Sequence, residues 1–235
     1  MPIMKILLVY GTRPEILKLI PVIMELRDKP GINLKMVNTG QHREMVRDIE
    51  GSFDIVPDYS LDIMQSRQSL ISIFVNVLKS IEPVLEAEQP DITILQGDTS
   101  TVAAVATACF YKRMAVAHVE AGLRSFDLQQ PFPEEFNRRL VSISARYNFA
   151  PTSGAAENLL KEGVAADSIH ITGNTIVDMV NIARSSIQAR PFMKKRILIT
   201  AHRRENHVGG INDICQAVKR ILSQRKDVGF VWPVH

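Results

Sequence analysis

The sequence predicts an α/β protein built on doubly wound parallel sheets. Short β-rich apolar runs alternate with longer helical patterns along the chain. The runs are continuously apolar, as strands covered on both faces are, rather than alternating with polar residues. Polar clusters follow several of the runs directly, at the carboxyl ends of strands, where open parallel sheets bind ligands. Of the 235 residues, 46% are apolar, enough for a substantial core, and the length fits one large domain or two smaller ones.

"MKILLVY" (4–10) reads as a buried strand. Pro14 fits the first turn of a helix, and "EILKLIPVIMELRD" continues it with helical spacing, with a bend expected at Pro21. "INLKMVN" (32–38) is the second strand, and "QHREMVRDIE" opens the next helix. "SLISIFVNVLKSIEPVLEAE" (69–88) is a long amphipathic helix. A strand at 91–97, a helix at 100–113 and a strand at 114–120 follow, and "NFAPT" and "SIHITGN" read as two further strand ends. "RSSIQARPFMKK" (184–195) is polar, basic and broken by Pro191. After it come strand, helix and strand: "RILITAH" (196–202), "GGINDICQAVKRILSQRK" and "VGFVWPVH" (228–235).

We therefore expect a Rossmann-like domain over 1–173 and the start of a second over 174–235. A lone strand-helix-strand unit leaves strand edges and an apolar face uncovered, so the second domain reads as cut short.

Net charge is +3, with 28 basic against 25 acidic residues. That near balance gives no pointer to nucleic acid. Cys109 and Cys215 lie far apart in helix-like patterns and read as buried reduced thiols. No CxxC or HExxH occurs, so no metal site is expected. The apolar N-terminal run is too short to span a membrane and lacks a small-residue cleavage site, which reads as a soluble, cytoplasmic protein.

Four polar loops stand out. "GTRPE" (11–15) turns through glycine into a helix N-terminus, with Arg13 and Lys18 near. It suits a phosphate, or it is a plain turn in which Arg13 pairs with Glu15. It is neither GxGxxG nor a P-loop, so no dinucleotide cofactor is indicated. Asp98 in "GDTST" follows a strand directly. It caps the next helix unless Thr99 or Ser100 does so and frees its carboxylate. Glu120 ends "AVAHVE", where it shares a face with His118; it pairs with Arg124 or serves a site. His202 in "AHRREN", beside Arg203 and Arg204, is either part of a solvated basic loop or aimed at an anion. A fifth stretch, "PFPEEFNRR" (131–139), stiffens the entry to a helix whose first residues are Glu134 and Glu135.

Taken in order, "GTRPE", "QHREM", "GDTST", "HVEAGLR", "PFPEEFNRR", "TGNTIVD" and "TAHRREN" resemble the non-hydrolysing UDP-N-acetylglucosamine 2-epimerases of the bacterial type. The resemblance runs from Gly11 to the final "PVH". It implies a two-domain glycosyltransferase-B-like architecture with the nucleotide sugar in the cleft. It implies interconversion of UDP-N-acetylglucosamine and UDP-N-acetylmannosamine for surface polysaccharides, with no cofactor and no metal, in a homodimer. Its mechanism removes UDP and the C2 proton to give a glycal, then returns both with the proton on the other face. Carried over by motif, Asp98, Glu120 and Glu134 are the essential carboxylates. His202 is the histidine at the UDP phosphates, and Arg13 and Lys18 are the N-terminal ligand-binding basic residues. Glu135 is then structural, within a helical turn of Arg138 and Arg139.

The family's bacterial branch also binds a second UDP-N-acetylglucosamine as activator. The corresponding positions are Gln41, Arg43, Arg67, Glu134, Arg203 and His235; Glu44 stands where relatives often carry Gln. Family members continue past "PVH" with the stretch that holds uridine and ribose. Three rival readings remain at this stage. They are a retaining glycosyltransferase of the same architecture, a 2-epimerase of another UDP-2-acetamido sugar, and an inactive fragment or regulatory half.

Overall fold

The computed structural model describes residues 3–65, 68–186, 195–201 and 210–233. It divides into two compact units, Met1–Arg184 and Ser185–His235.

The first unit is a seven-stranded sheet with every neighbouring pair parallel. Its strands are β1 (Met4–Tyr10), β2 (Ile32–Asn38), β3 (Tyr59–Ser60), β4 (Ile92–Gln96), β5 (Val116–Val119), β6 (Tyr147–Ala150) and β7 (Ile169–Ile171). They lie in the order β3-β2-β1-β4-β5-β6-β7. The chain runs outward from β1 on one side and from β4 on the other, so the order reverses between them and opens a crevice at their carboxyl ends. The bounds of β1 and β2 are those the apolar runs gave. β3 has no apolar run and was not foreseen.

Seven helices belong with these strands. They are α1 (Arg13–Arg27), α2 (Arg43–Ser52), α3 (Leu70–Glu88), α4 (Ser100–Tyr111), α5 (Glu134–Ser144), α6 (Ser153–Lys161) and α7 (Thr175–Ser186). β1 shows why both faces of the sheet need cover. Leu7 and Val9 point into one core with Val77, Ile81 and Leu85 of α3 and Val102 and Val105 of α4. Ile6, Leu8 and Tyr10 point into the other, with Ile16, Leu19, Ile20 and Ile23 of α1. The period-two strand thus feeds two layers. The four α1 residues fall at helical spacing, and each fully buried apolar side chain contributes about 1.5–3 kcal/mol. Pro14 sits in the first turn of α1 as expected, and the helix continues through Pro21. Met179 of α7 is buried in the α1-side core, so this helix, which lies beyond residue 173, packs on the first sheet.

The second unit contains β8 (Lys195–Leu198), α8 (Gly210–Gln224) and β9 (Val228–Val231). β8 and β9 pair in parallel, with Lys195 opposite Val228 and Leu198 opposite Val231. Every residue of β8 is exposed, Ile197 and Leu198 included, while Val228 is buried. Cys109 is buried, and burial raises its thiol to about 11. Cys215 is only half-buried, so the expectation of two buried thiols holds for one of them.

Candidate functional site

A pocket of about 330 Å³ opens at the carboxyl ends of β1, β2, β4 and β5. Its walls include Lys18, Gln41, Asp98, Glu120 and Glu134, five of the residues singled out from the sequence. They reach it from five separate stretches of chain, brought together by the parallel topology.

Asp98 follows the Gly97 turn, where φ is +83°, a backbone conformation that glycine adopts without penalty. Thr99, not Asp98, caps α4, accepting from the Val102 N–H at 3.3 Å. The freed carboxylate pairs with the Arg138 guanidinium, and the Asp98 carbonyl accepts from Asn137 Nδ2 at 2.9 Å. Burial raises the Asp98 carboxyl above its ordinary value. Arg138 counters this, while Glu134 and Glu120 add to it by like charge. Both glutamates thus lie within electrostatic reach of Asp98.

Glu120 follows β5 with φ +69°, the left-handed region that a glutamate rarely occupies. It does not pair with Arg124. Arg124 donates instead to Glu162 at 2.7–3.0 Å. Glu120 accepts from Lys18 Nζ at 2.7 and 2.6 Å, from Gln96 Nε2 at 2.6 Å and from Asn174 Nδ2 at 2.7 Å. His118, two residues earlier, is fully buried. Its Nε2 lies 2.7 Å from the carbonyl oxygen of Gly97, and burial lowers its imidazole to about 4, so it is neutral and donates there.

Glu134 and Glu135 open α5 and part company at once. Glu134 is half-buried and faces the pocket. Glu135 is fully buried on the other side. It accepts from the Ser125 and Phe126 N–H groups at 3.0 and 3.2 Å and from Arg139 Nε at 3.1 Å, with Arg138 at 3.5 Å. It ties the loop after β5 to the helix, the structural part that the sequence assigned to it.

Glu15 changes the reading of the first loop. Its buried carboxylate accepts from the N–H groups of Gly11 (2.6 Å) and Thr12 (2.9 Å) and from the Thr99 hydroxyl. Burial nevertheless raises its carboxyl. The two N–H groups that lead into α1, those of Gly11 and Thr12, are therefore already occupied. Arg13 is exposed at the first position of α1. Its charge, second to burial, lowers the His42 imidazole, which places it near the pocket wall to which His42 belongs. Gly11 is packed so closely that a Cβ there would lie 2.0 Å from Thr39 Oγ1. Thr39 in turn lies 3.4 Å from Thr101 Oγ1, and Thr101 donates to Gln41 at 2.8 Å.

Arg43, from the candidate activator set, is half exposed and paired with Asp62 at 3.0 Å. Glu44 is exposed. Arg67, His202, Arg203 and His235 lie outside the described residues. Sequence reasoning did not single out Glu15, His42, Gln96 or Asn174 as site residues. The last lies in the quoted "TGNTIVD" stretch, to which no role was given. Among the described residues, no group of three His, Cys, Asp or Glu side chains is placed to hold a metal ion. No helix among them is long and apolar enough to cross a membrane.

Comparison with known proteins gives one answer. A family model described as UDP-N-acetylglucosamine 2-epimerase matches residues 24–235. The chain is 43% identical to the UDP-N-acetylglucosamine 2-epimerase of Neisseria meningitidis, over 99% of its own length and 66% of the relative's. It is 42% identical to that of Escherichia coli K12, over 99% and 65%, and to that of Bacillus subtilis 168, over 99% and 62%. It thus spans just under two thirds of these relatives. The crystal structure of the Neisseria enzyme bound to UDP-GlcNAc matches with a TM-score of 0.87 and 42% identity, covering 99% of this chain and 66% of that one. The Methanocaldococcus jannaschii enzyme in complex with UDP-GlcNAc and UDP matches at 0.80 and 34%, covering 99% and 66%. A lipopolysaccharide galactosyltransferase matches at 0.56 and 14% identity, a likeness of fold alone. By its ordered motifs, its parallel-sheet fold and these matches, the chain belongs to the UDP-N-acetylglucosamine 2-epimerase family.

Proposed function

We propose that the chain carries the proton-transfer side of a UDP-N-acetylglucosamine 2-epimerase. The observation that carries this reading is the convergence of Asp98, Glu120 and Glu134, with Lys18, on one pocket at the switch point of the sheet. Inverting C2 requires a base on one face of the sugar and an acid on the other. The C2 proton goes to a carboxylate. The electrons of the C2–H bond form the C1–C2 double bond, and the C1–O bond to UDP breaks, leaving a glycal and free UDP. In the return step a proton adds to C2 from the opposite face, and UDP re-forms its bond to C1. Each positioned proton-transfer group contributes about 10²–10⁴-fold.

Asp98, Glu120 and Glu134 are the groups proposed for these transfers. Lys18 and Arg13, with His202 outside the described residues, are proposed to hold the departing diphosphate by charge. In this reading the second Rossmann-like domain begins within the second unit and completes the nucleotide site in a glycosyltransferase-B-like pair. The relatives with bound UDP-GlcNAc and UDP support the substrate class. The remaining parts of the reading rest on the family resemblance: a cytoplasmic homodimer, a role in surface polysaccharide synthesis, and an activator site at Gln41, Arg43, Arg67, Glu134, Arg203 and His235. Arg43 meets Asp62 through Nε, which leaves its terminal nitrogens for a ligand.

Incubation of a version extended past His235 with UDP-N-acetylglucosamine in D₂O, without any acceptor, tests the proposal. UDP-N-acetylmannosamine carrying deuterium at C2 is expected. Epimer without deuterium rules out elimination and re-addition. Turnover only when a sugar acceptor is supplied marks a glycosyltransferase instead.

A further inference from the structure

Glu120 draws its donors from three distant places, and they differ in kind. Lys18 reaches it with a long flexible stem and bonds both oxygens, so the ammonium can follow the carboxylate as it moves. Gln96 is buried at the end of β4 and holds Oε2. Asn174, between β7 and α7, holds Oε1. These two anchored amides, one on each oxygen, set the plane of the carboxylate.

The Asn174 amide is itself oriented. Its Oδ1 accepts from the Ile176 N–H at 3.1 Å, in the first turn of α7, which leaves Nδ2 to face Glu120. Capping alone does not require asparagine. Serine, threonine or aspartate would accept the same N–H. The short amide does both from separate atoms, accepting with Oδ1 and donating with Nδ2. We propose that Asn174 is a positioning residue for Glu120, using the start of α7 as its anchor and fixing the carboxylate plane at the pocket. The inference rests on the epimerase reading for its catalytic consequence but not for its geometry.

Aspartate at position 174 separates the two roles, since it keeps the cap and loses the donor; serine keeps the cap but puts a single hydroxyl in place of the amide's separate acceptor and donor. On the 235-residue chain, denaturation midpoints are measured beside the carboxyl ¹³C resonance of Glu120, assigned by its loss in Glu120→Gln. Asn174→Ser is expected to keep a higher midpoint than Asn174→Ala, since it keeps the cap. The Glu120 resonance is expected to move in Asn174→Ser and further in Asn174→Asp, where a donor becomes a second acceptor. C2 deuterium exchange should fall by roughly 10–100-fold with KM changed by no more than about twofold, as expected for a lost hydrogen bond to a charged group acting mainly in the transition state. A Glu120 resonance unmoved by both variants overturns the inference. So does full exchange in Asn174→Asp when the parent exchanges. Absence of exchange in a version extended past His235 overturns the epimerase reading instead, and the resonance still decides the positioning role.

Discussion

Lys18 and Glu120, 102 residues apart in sequence, form a two-pronged contact of 2.7 and 2.6 Å across the pocket floor. Their side chains are only 22% and 12% exposed, so water screens the pair less than it would at the surface. A residue expected to hold phosphate is thus engaged with a residue expected to move a proton. Incoming diphosphate would compete with Glu120 for the ammonium.

That pairing has a measurable strength. Lys18→Met leaves the Glu120 carboxylate with two neutral donors and should lower stability by about 1–3 kcal/mol. Lys18→Met combined with Glu120→Gln should recover part of the loss, because no buried charge is then left alone. Denaturant titrations of the four proteins give the coupling. Strict additivity would mean that the two groups do not interact in solution.

The adjacent glutamates of α5 should separate by assay. Glu134→Gln is expected to lose roughly 10²–10⁴-fold in C2 exchange while its stability stays within about 0.5 kcal/mol of the parent. Glu135→Gln is expected to lose about 1–3 kcal/mol, since it breaks the tie to Ser125, Phe126 and Arg139. Equal kinetic losses at both positions would mean that the division between them is wrong.

Glu135 also fixes a pH dependence. Burial pushes its carboxyl up, but the Ser125 N–H, Arg139 and the Phe126 N–H together outweigh it and hold it below its ordinary value. A lowered acid contributes stability above the unfolded value and loses it as pH falls through the folded one. The stability gap between the parent and Glu135→Gln should therefore be full at neutrality and close below about pH 4. Denaturation curves at pH 7 and in acid compare the two, and a gap that grows on acidification would contradict the geometry.

Asp98 should behave in the opposite sense. Burial raises its carboxyl beyond what Arg138 restores, so the unfolded chain ionises first as pH rises, and the charged form subtracts from stability. Asp98→Asn, which does not ionise, should gain on the parent between about pH 4 and neutrality. If the parent gains on the variant over that range, Arg138 governs this site rather than burial.

Gly11 offers a packing test. Gly11→Ala places its methyl group against Thr39 Oγ1 and should cost about 1–3 kcal/mol through overpacking. Adding Thr39→Ala removes the clashing oxygen and should recover part of that cost. Thermal unfolding of the single and double variants decides it, and a double variant no better than Gly11→Ala would place the strain elsewhere.

The central strands were legible because they are buried on both faces. A continuous apolar run such as "MKILLVY" has few other readings, and helix starts were marked by Pro14 and Ser69. β3 was not legible, since two residues, Tyr59 and Ser60, make no pattern. The carboxylates of the pocket were found because each directly follows a strand or opens a helix. Their partners were harder. Nothing local in "AVAHVE" says that Glu120 turns toward Lys18 instead of Arg124. That choice depends on the left-handed backbone at Glu120 and on where α1 lies across the sheet. Asn174 and Gln96 are ordinary polar residues in sequence, and only the parallel order of strands brings them to one carboxylate. Glu15 reads as a possible partner of Arg13, but its hold on Gly11, Thr12 and Thr99 crosses from one strand's loop to another's.

The sheet of the first unit ends on both sides in very short strands, two residues in β3 and three in β7. An open edge is a template on which a foreign strand can add, and long flat edges invite runaway stacking of copies. Here the rim offers only a few backbone groups on either side, too few to seed such growth. Apolar side chains are exposed elsewhere on this unit, among them Leu70, Ile71, Phe132 and Phe136 beside α3 and α5. Any molecule that settles on that patch meets shape and apolar area rather than unpaired backbone.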